Sequence, residues 1–190
     1  MADIYISGSL AFDRIVVYDG YFKDHILPEK IHALNFVLLV RDLTERYGGT
    51  AGNIAYSLGL LGEAPVVLAN MGHDATEYKQ WLERWGVNTT HIGELSDALT
   101  ATATIMTDKA DNQIGFFYPG AMDKALASYP TVFSDGSIAI LSPGNITDMM
   151  KLKKHYVQNA VPHIFDPGQI LPALSSDQCK ELIANAQIVV

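Results

Sequence analysis

Cysteine is all but missing from this chain of 190 residues, where Cys179 stands alone. A lone thiol builds no disulfide framework, so a small secreted scaffold held by bridges is excluded and a cytoplasmic setting is expected. Runs of positive charge are missing too. Lys and Arg number 13 against 21 Asp and Glu, a formal charge of −8. The densest cationic group, Lys151, Lys153 and Lys154, reads as the solvated face of a helix. A nucleic-acid surface needs a positive stripe against the phosphates, so a small-molecule partner is expected instead. No apolar stretch approaches the roughly 20 residues of a membrane span, and the first residues carry neither a basic segment nor a cleavage signature. The six histidines are scattered, without metal-ligand spacing to Cys179 or to a carboxylate. No Gly-x-Gly-x-x-Gly follows the first apolar run, which argues against a dinucleotide oxidoreductase.

What is present is a strongly apolar chain, 48% hydrophobic, whose pattern alternates between short apolar runs and helical periods. Strands are expected at 3–9, 64–69, 137–142, 163–166 and 186–190. Helices are expected at 51–61, 74–85, 146–160 and 176–185. In the second helix Tyr78, Trp81, Leu82 and Trp85 recur at the spacing of one buried face. Unalternating apolar strands separated by helices imply a parallel sheet covered on both sides. Three further strand-like segments, near 14–18, 33–40 and 100–119, do not fit that scheme. They are expected to form a separate small β-sheet, with Asp108 to Asn112 as a hairpin turn.

The segment richest in chemistry is Gly48-Gly49-Thr50-Ala51-Gly52-Asn53. Two glycines remove both Cβ atoms where the chain enters a helix, so a ligand can touch the backbone. The first-turn N–H groups of that helix are expected to point at such a ligand. Asn53, one turn further, offers donors and an acceptor to a hydroxyl. A tight turn with a capped helix accounts for the same residues.

Gly48-Gly49-Thr50-Ala51-Gly52-Asn53-Ile54-Ala55, followed by Gly62 and Gly72, resembles the first signature of the ribokinase/PfkB carbohydrate-kinase family. Gly8-Ser9-Leu10-Ala11-Phe12-Asp13 resembles that family's first strand and the acidic residue after it. Leu27-Pro28-Glu29, Leu39-Val40, Asp42-Leu43 and Phe117-Tyr118-Pro119-Gly120-Ala121-Met122 are similar to the bacterial adenosine-kinase branch. The resemblance implies a Rossmann-like, three-layer α/β/α domain with a mostly parallel sheet and a small β-sheet lid, the lid segments being approximately 13–19, 33–41 and 100–119. It also implies ATP-dependent, Mg2+-dependent phosphoryl transfer to a primary hydroxyl of a nucleoside or sugar. The implied substrate-binding positions are Ser9, Asp13, Gly48, Gly49, Asn53 and Phe117. Asp13 suits a vicinal diol, since a carboxylate accepts two hydrogen bonds, and Phe117 would cover a base. Two other substrate-side positions of the adenosine-kinase branch, an aromatic and an arginine, fall on Ala103 and Ala173 here.

The late Asp-Thr-x-Gly-x-Gly-Asp run and the Asn-x-x-Glu element of that family do not occur in these residues. Residues 1–190 are therefore expected to be the substrate-binding first part of one kinase domain. The catalytic base and most of the ATP and Mg2+ site would lie beyond Val190, and this chain alone would be inactive. A simple-sugar kinase such as one for ribose or fructose, and a non-catalytic nucleoside- or sugar-binding module, stay open as alternatives. A homodimer through the lid is also expected, because lid strands leave apolar faces and edges to cover.

Overall fold

The computed structural model describes residues 3–190. In chain order the elements are β1 (Ile4–Ser7), β2 (Ala11–Val17), β3 (Asp42–Gly48), α1 (Thr50–Leu60), β4 (Val66–Gly72), α2 (Thr76–Arg84) and β5 (Ile92–Leu95). Then come β6 (Ala101–Thr107), β7 (Gln113–Tyr118), β8 (Ile138–Leu141), α3 (Ile146–Gln158), β9 (His163–Phe165), α4 (Ser176–Ile183) and β10 (Ile188–Val189).

Six of the strands form one sheet in the order β10-β9-β8-β1-β4-β5, every pair parallel. Alternate residues of its strands face opposite sides, and both sides are apolar. Ile6, Val67, Ala69 and Met71 pack against Ala51, Ala55, Tyr78 and Leu82 of α1 and α2. Tyr5, Val66, Leu68, Ala139 and Leu141 pack against Met149, Leu152, Tyr156 and Leu182 of α3 and α4. This two-sided burial is why the strands read as continuous apolar runs rather than alternating ones. The helix ends follow local chemistry. The Asn145 side chain accepts the Asp148 N–H to start α3, and Ser175 with Gln178 forms a capping box on α4.

The other four strands form a separate mixed sheet, β3-β2-β6-β7. One strand was expected across 33–40, and the structure corrects this. Pro28–Ala33 is a 3-10 turn, the following residues have no strand partners, and the strand lies at Asp42–Gly48. Val37 and Leu39 are 93% and 91% exposed, so apolar character there reflects no burial. Pairing decided the outcome: β3 runs antiparallel to β2 with Glu45 opposite Arg14, and their side chains form an ion pair at 2.7 Å. Charged residues on such an edge strand also discourage unwanted pairing. The short strand β5 and the 3-10 segment Gly168–Ala173 were not anticipated. Among the described residues no helix is long and apolar enough to cross a membrane.

Candidate functional site

β1 lies between β4 and β8, so the chain leaves its neighbours on either side in opposite directions. A crevice opens at such a switch point, beyond the C-terminal ends of the strands. The Gly48-Gly49 turn sits there, fixed from several directions. The Ser9 hydroxyl accepts the Thr50 N–H at 2.9 Å and lies 3.2 Å from Thr50 Oγ1. Thr50 Oγ1 donates to the Pro143 carbonyl at 3.0 Å and receives Ser142 Oγ at 3.0 Å. Tyr78, 1% exposed, donates its hydroxyl to the Gly48 carbonyl at 2.7 Å. The Tyr78 ring stacks on Tyr47 at 4.4 Å. Burial, with smaller contributions from Asp13 and Tyr47, drives the Tyr78 phenol far above its ordinary range, so it stays a donor.

Both glycines are required by this geometry. Gly49 adopts φ 88°, a left-handed conformation, and a Cβ there would lie 2.5 Å from the Ser9 carbonyl oxygen. A Cβ on Gly48 would overlap the Asp13 carboxylate. The first-turn N–H groups, expected to face a ligand, are instead used internally. Thr50 donates to Ser9 Oγ, Ala51 to the Ser9 carbonyl at 3.0 Å, and Asn53 to the Gly49 carbonyl at 2.9 Å. The helix start is therefore a braced wall of the site and not an anion cradle.

Asp13 lies against Gly48, and Asn53 is tied to Gly49 through its backbone, so the structure brings both to one turn. Among the described residues no hydrogen bond or ion pair engages the Asp13 carboxylate or the Asn53 side chain, and Asn53 is exposed. Partial burial raises the Asp13 pKa, with no cation offsetting it. Register then connects Asp13 to Phe117. Asp13 pairs with Ala103 across β2 and β6, and Ala103 pairs with Phe117 across β6 and β7. Paired residues share a face, so Asp13, Ala103 and Phe117 form one row with the small Ala103 between them. Phe117 overhangs a cleft of about 500 Å³ lined also by Met122, Asp123, Asn145, Ile146 and Ile170. Ser9 is the exception among the anticipated residues. It is 7% exposed, and its hydroxyl is given to Thr50.

Thr50 and Tyr78 were not anticipated as parts of the site. The loop Ser142-Pro143-Gly144-Asn145 reads from the sequence as a turn at the end of a parallel strand, where such a sheet keeps its ligands, and Gly144 and Asn145 do line the cleft. Tyr78 had no signal beyond a core position on its helix, and Thr50 none beyond its place in the glycine motif. Among the described residues no group of three or more His, Cys, Asp or Glu could hold a metal ion.

The family model for pfkB family carbohydrate kinases matches residues 13–190. The nucleoside kinase of Methanocaldococcus jannaschii is 29% identical over 85% of this chain and 53% of its own length. That of Methanothermobacter thermautotrophicus is 31% identical over 98% of this chain and 59% of its own length. Among solved structures, Burkholderia thailandensis nucleoside kinase in complex with inosine superposes with a TM-score of 0.83 at 34% identity, covering 98% of this chain and 59% of that one. It has also been solved in complex with ADP-inosine. A nucleoside kinase from Methanocaldococcus jannaschii, described as an archaeal member of the ribokinase family, gives 0.86 at 26% identity over 100% of this chain and 60% of that one. The chain thus spans about half to three fifths of the length of the relatives it matches.

Proposed function

The chain belongs to the pfkB family of carbohydrate kinases, with a ribokinase-like α/β fold and a separate small sheet, and from that premise we propose that it is the nucleoside-binding part of an ATP-dependent nucleoside kinase. The observation that carries the reading is the row Asp13, Ala103, Phe117 on one face of the small sheet, with Phe117 at its end lining the cleft. Neighbouring strands are roughly 4.8 Å apart, so a free carboxylate and an aromatic face stand about 10 Å apart across a position cut back to a methyl group. That spacing suits the sugar at one end and the base at the other. The inosine and ADP-inosine complexes of the Burkholderia kinase support the same assignment.

In this reading Asp13 accepts hydrogen bonds from the ribose 2′- and 3′-hydroxyls, and the Asn53 amide adds a further polar contact. Gly48 and Gly49 let the sugar approach the backbone. Phe117 covers the base, a contact worth about 1–3 kcal/mol. Ser9 acts through Thr50, holding the turn. Bound ATP with Mg2+ would supply the phosphoryl group. The described residues do not fit either: the first-turn N–H groups of α1 are already used, and no acidic cluster stands by. No step is therefore derived through them, and the chain by itself is proposed to bind nucleoside without turning it over.

Calorimetric titration with inosine, adenosine and ribose tests this. A nucleoside should bind at least about tenfold more tightly than ribose, and Phe117→Ala should remove most of that advantage. Equal affinity for ribose and nucleosides would instead support a simple-sugar kinase.

A further inference from the structure

Asp148 is a buried carboxylate that the proposed chemistry leaves unused. It sits in the first turn of α3 and is 6% exposed. Its Oδ2 accepts the Leu126 N–H at 2.9 Å. Its Oδ1 is buried with no hydrogen-bond partner. Burial raises its pKa against the opposing pull of the Leu126 hydrogen bond, Lys151 and Tyr129.

The surroundings explain what an oxygen in that position could do. Asp148 borders a partly open hollow of about 20 Å³, lined on its polar side by Ser7, Asn70 and Asn145 and on its apolar side by Leu68, Met149 and Leu152. One water needs roughly 10–15 Å³ and two or more polar partners, so this hollow has room for a single molecule on its polar side. The same neighbourhood grips the connection that leaves β7 and returns to the main sheet. Asn145 Nδ2 donates to the Asp123 carbonyl at 2.9 Å, and Asn70 Nδ2 donates to the Lys124 carbonyl at 2.8 Å. With Asp148 on Leu126, three polar side chains from β4, α3 and its cap hold consecutive stretches of one segment. Met122 and Asp123, on that segment, line the cleft beneath Phe117.

We propose that Asp148 is a positioning residue for the cleft: one oxygen anchors Leu126, the other binds an ordered water in the hollow, and together they fix the segment carrying Met122 and Asp123 under Phe117. An unpaired buried oxygen is costly, and one water with partners in Ser7, Asn70 or the adjoining backbone removes that cost. The anchor touches no substrate. Its effect reaches the cleft through backbone it holds in place, and this consequence rests on the nucleoside reading above.

Hydrogen exchange of residues 119–129 should be compared in the full 190-residue chain, in Asp148→Ala and in Asp148→Asn, alongside inosine titration. In Asp148→Ala the Leu126 amide should exchange at least about tenfold faster, and inosine should bind about tenfold more weakly. Asp148→Asn keeps an acceptor for Leu126 and should restore most of both. Unchanged exchange in Asp148→Ala overturns the anchor, and faster exchange with unchanged inosine affinity overturns the positioning role. If Asp148→Ala does not fold, Asp148→Asn still decides. Both readouts near those of the unsubstituted chain support the proposal; fast exchange or inosine binding about tenfold weaker overturns it. A high-resolution structure of the unsubstituted chain should show one water within hydrogen-bonding distance of Oδ1, and its absence refutes that part. Should the unsubstituted chain bind no nucleoside, the nucleoside reading falls with the positioning role, while the exchange comparison still judges the anchor.

Discussion

Ser9→Ala separates two roles that the bare sequence could not distinguish. In the structure its hydroxyl accepts the Thr50 N–H at 2.9 Å and stands 3.2 Å from Thr50 Oγ1. Removing it strips α1 of a capping acceptor and leaves one N–H without a partner in a largely dry corner. Losses of this kind cost about 1–2 kcal/mol. For a chain of this size each kcal/mol moves the melting midpoint by about 2–4 °C, so a drop of about 2–8 °C is expected. Inosine affinity should change by less than about threefold, since Thr50 keeps its bonds to Pro143 and Ser142. Thermal unfolding and calorimetric titration of the same preparations measure both. A midpoint unchanged within about 1 °C, together with a loss of affinity of about tenfold, would place Ser9 against the ligand and refute the bracing role.

Asp13→Asn should weaken inosine binding by about 10- to 100-fold while leaving the unfolding midpoint unchanged or slightly higher, because burial opposes the charge it removes. Since the folded-state pKa of Asp13 is raised, binding that needs the carboxylate should weaken as pH falls through that raised value, and its contribution to stability should decline as pH rises through the same window. Both trends should vanish in Asp13→Asn, and their persistence in titrations across pH would exclude Asp13 as the cause. Asp108 behaves oppositely. Burial alone would raise it, but hydrogen bonds from Phe22, Asn112 and Ala110 hold it at about 2. Its contribution to stability is complete above the ordinary carboxylate value near 4 and lost as pH falls toward about 2. Acid unfolding of Asp108→Asn should lack that component, and an identical acid profile would contradict it. On the lid face opposite Phe117, Leu43, Ile114 and Phe116 are 58%, 38% and 66% exposed. Light scattering should find a dimer at micromolar concentration that Phe116→Ser weakens, and a monomeric unsubstituted chain would exclude pairing through the lid.

The parallel sheet was legible because its strands bury both faces and so appear as plain apolar runs. Gly49 was legible for a related reason: a glycine pair at a helix entry is a strong local signal, and its φ of 88° explains it. The 33–40 segment misled, because apolar composition speaks to burial while strand identity depends on a partner, and β2 pairs with the polar segment 42–48. The free N–H groups expected at α1 failed for the same reason at longer range, since the acceptor, Ser9, lies 41 residues earlier in the chain. Asp13, Ala103 and Phe117 could each be singled out beforehand. That they form one row follows from the register of β2, β6 and β7, which no local pattern specifies.

A crystal structure of this chain soaked with inosine tests the central claim most directly. The expected density has the ribose hydroxyls on the Asp13 carboxylate and the base against the Phe117 ring. Inosine bound away from that row, or lying with its base at Asp13 and its sugar under Phe117, would contradict it.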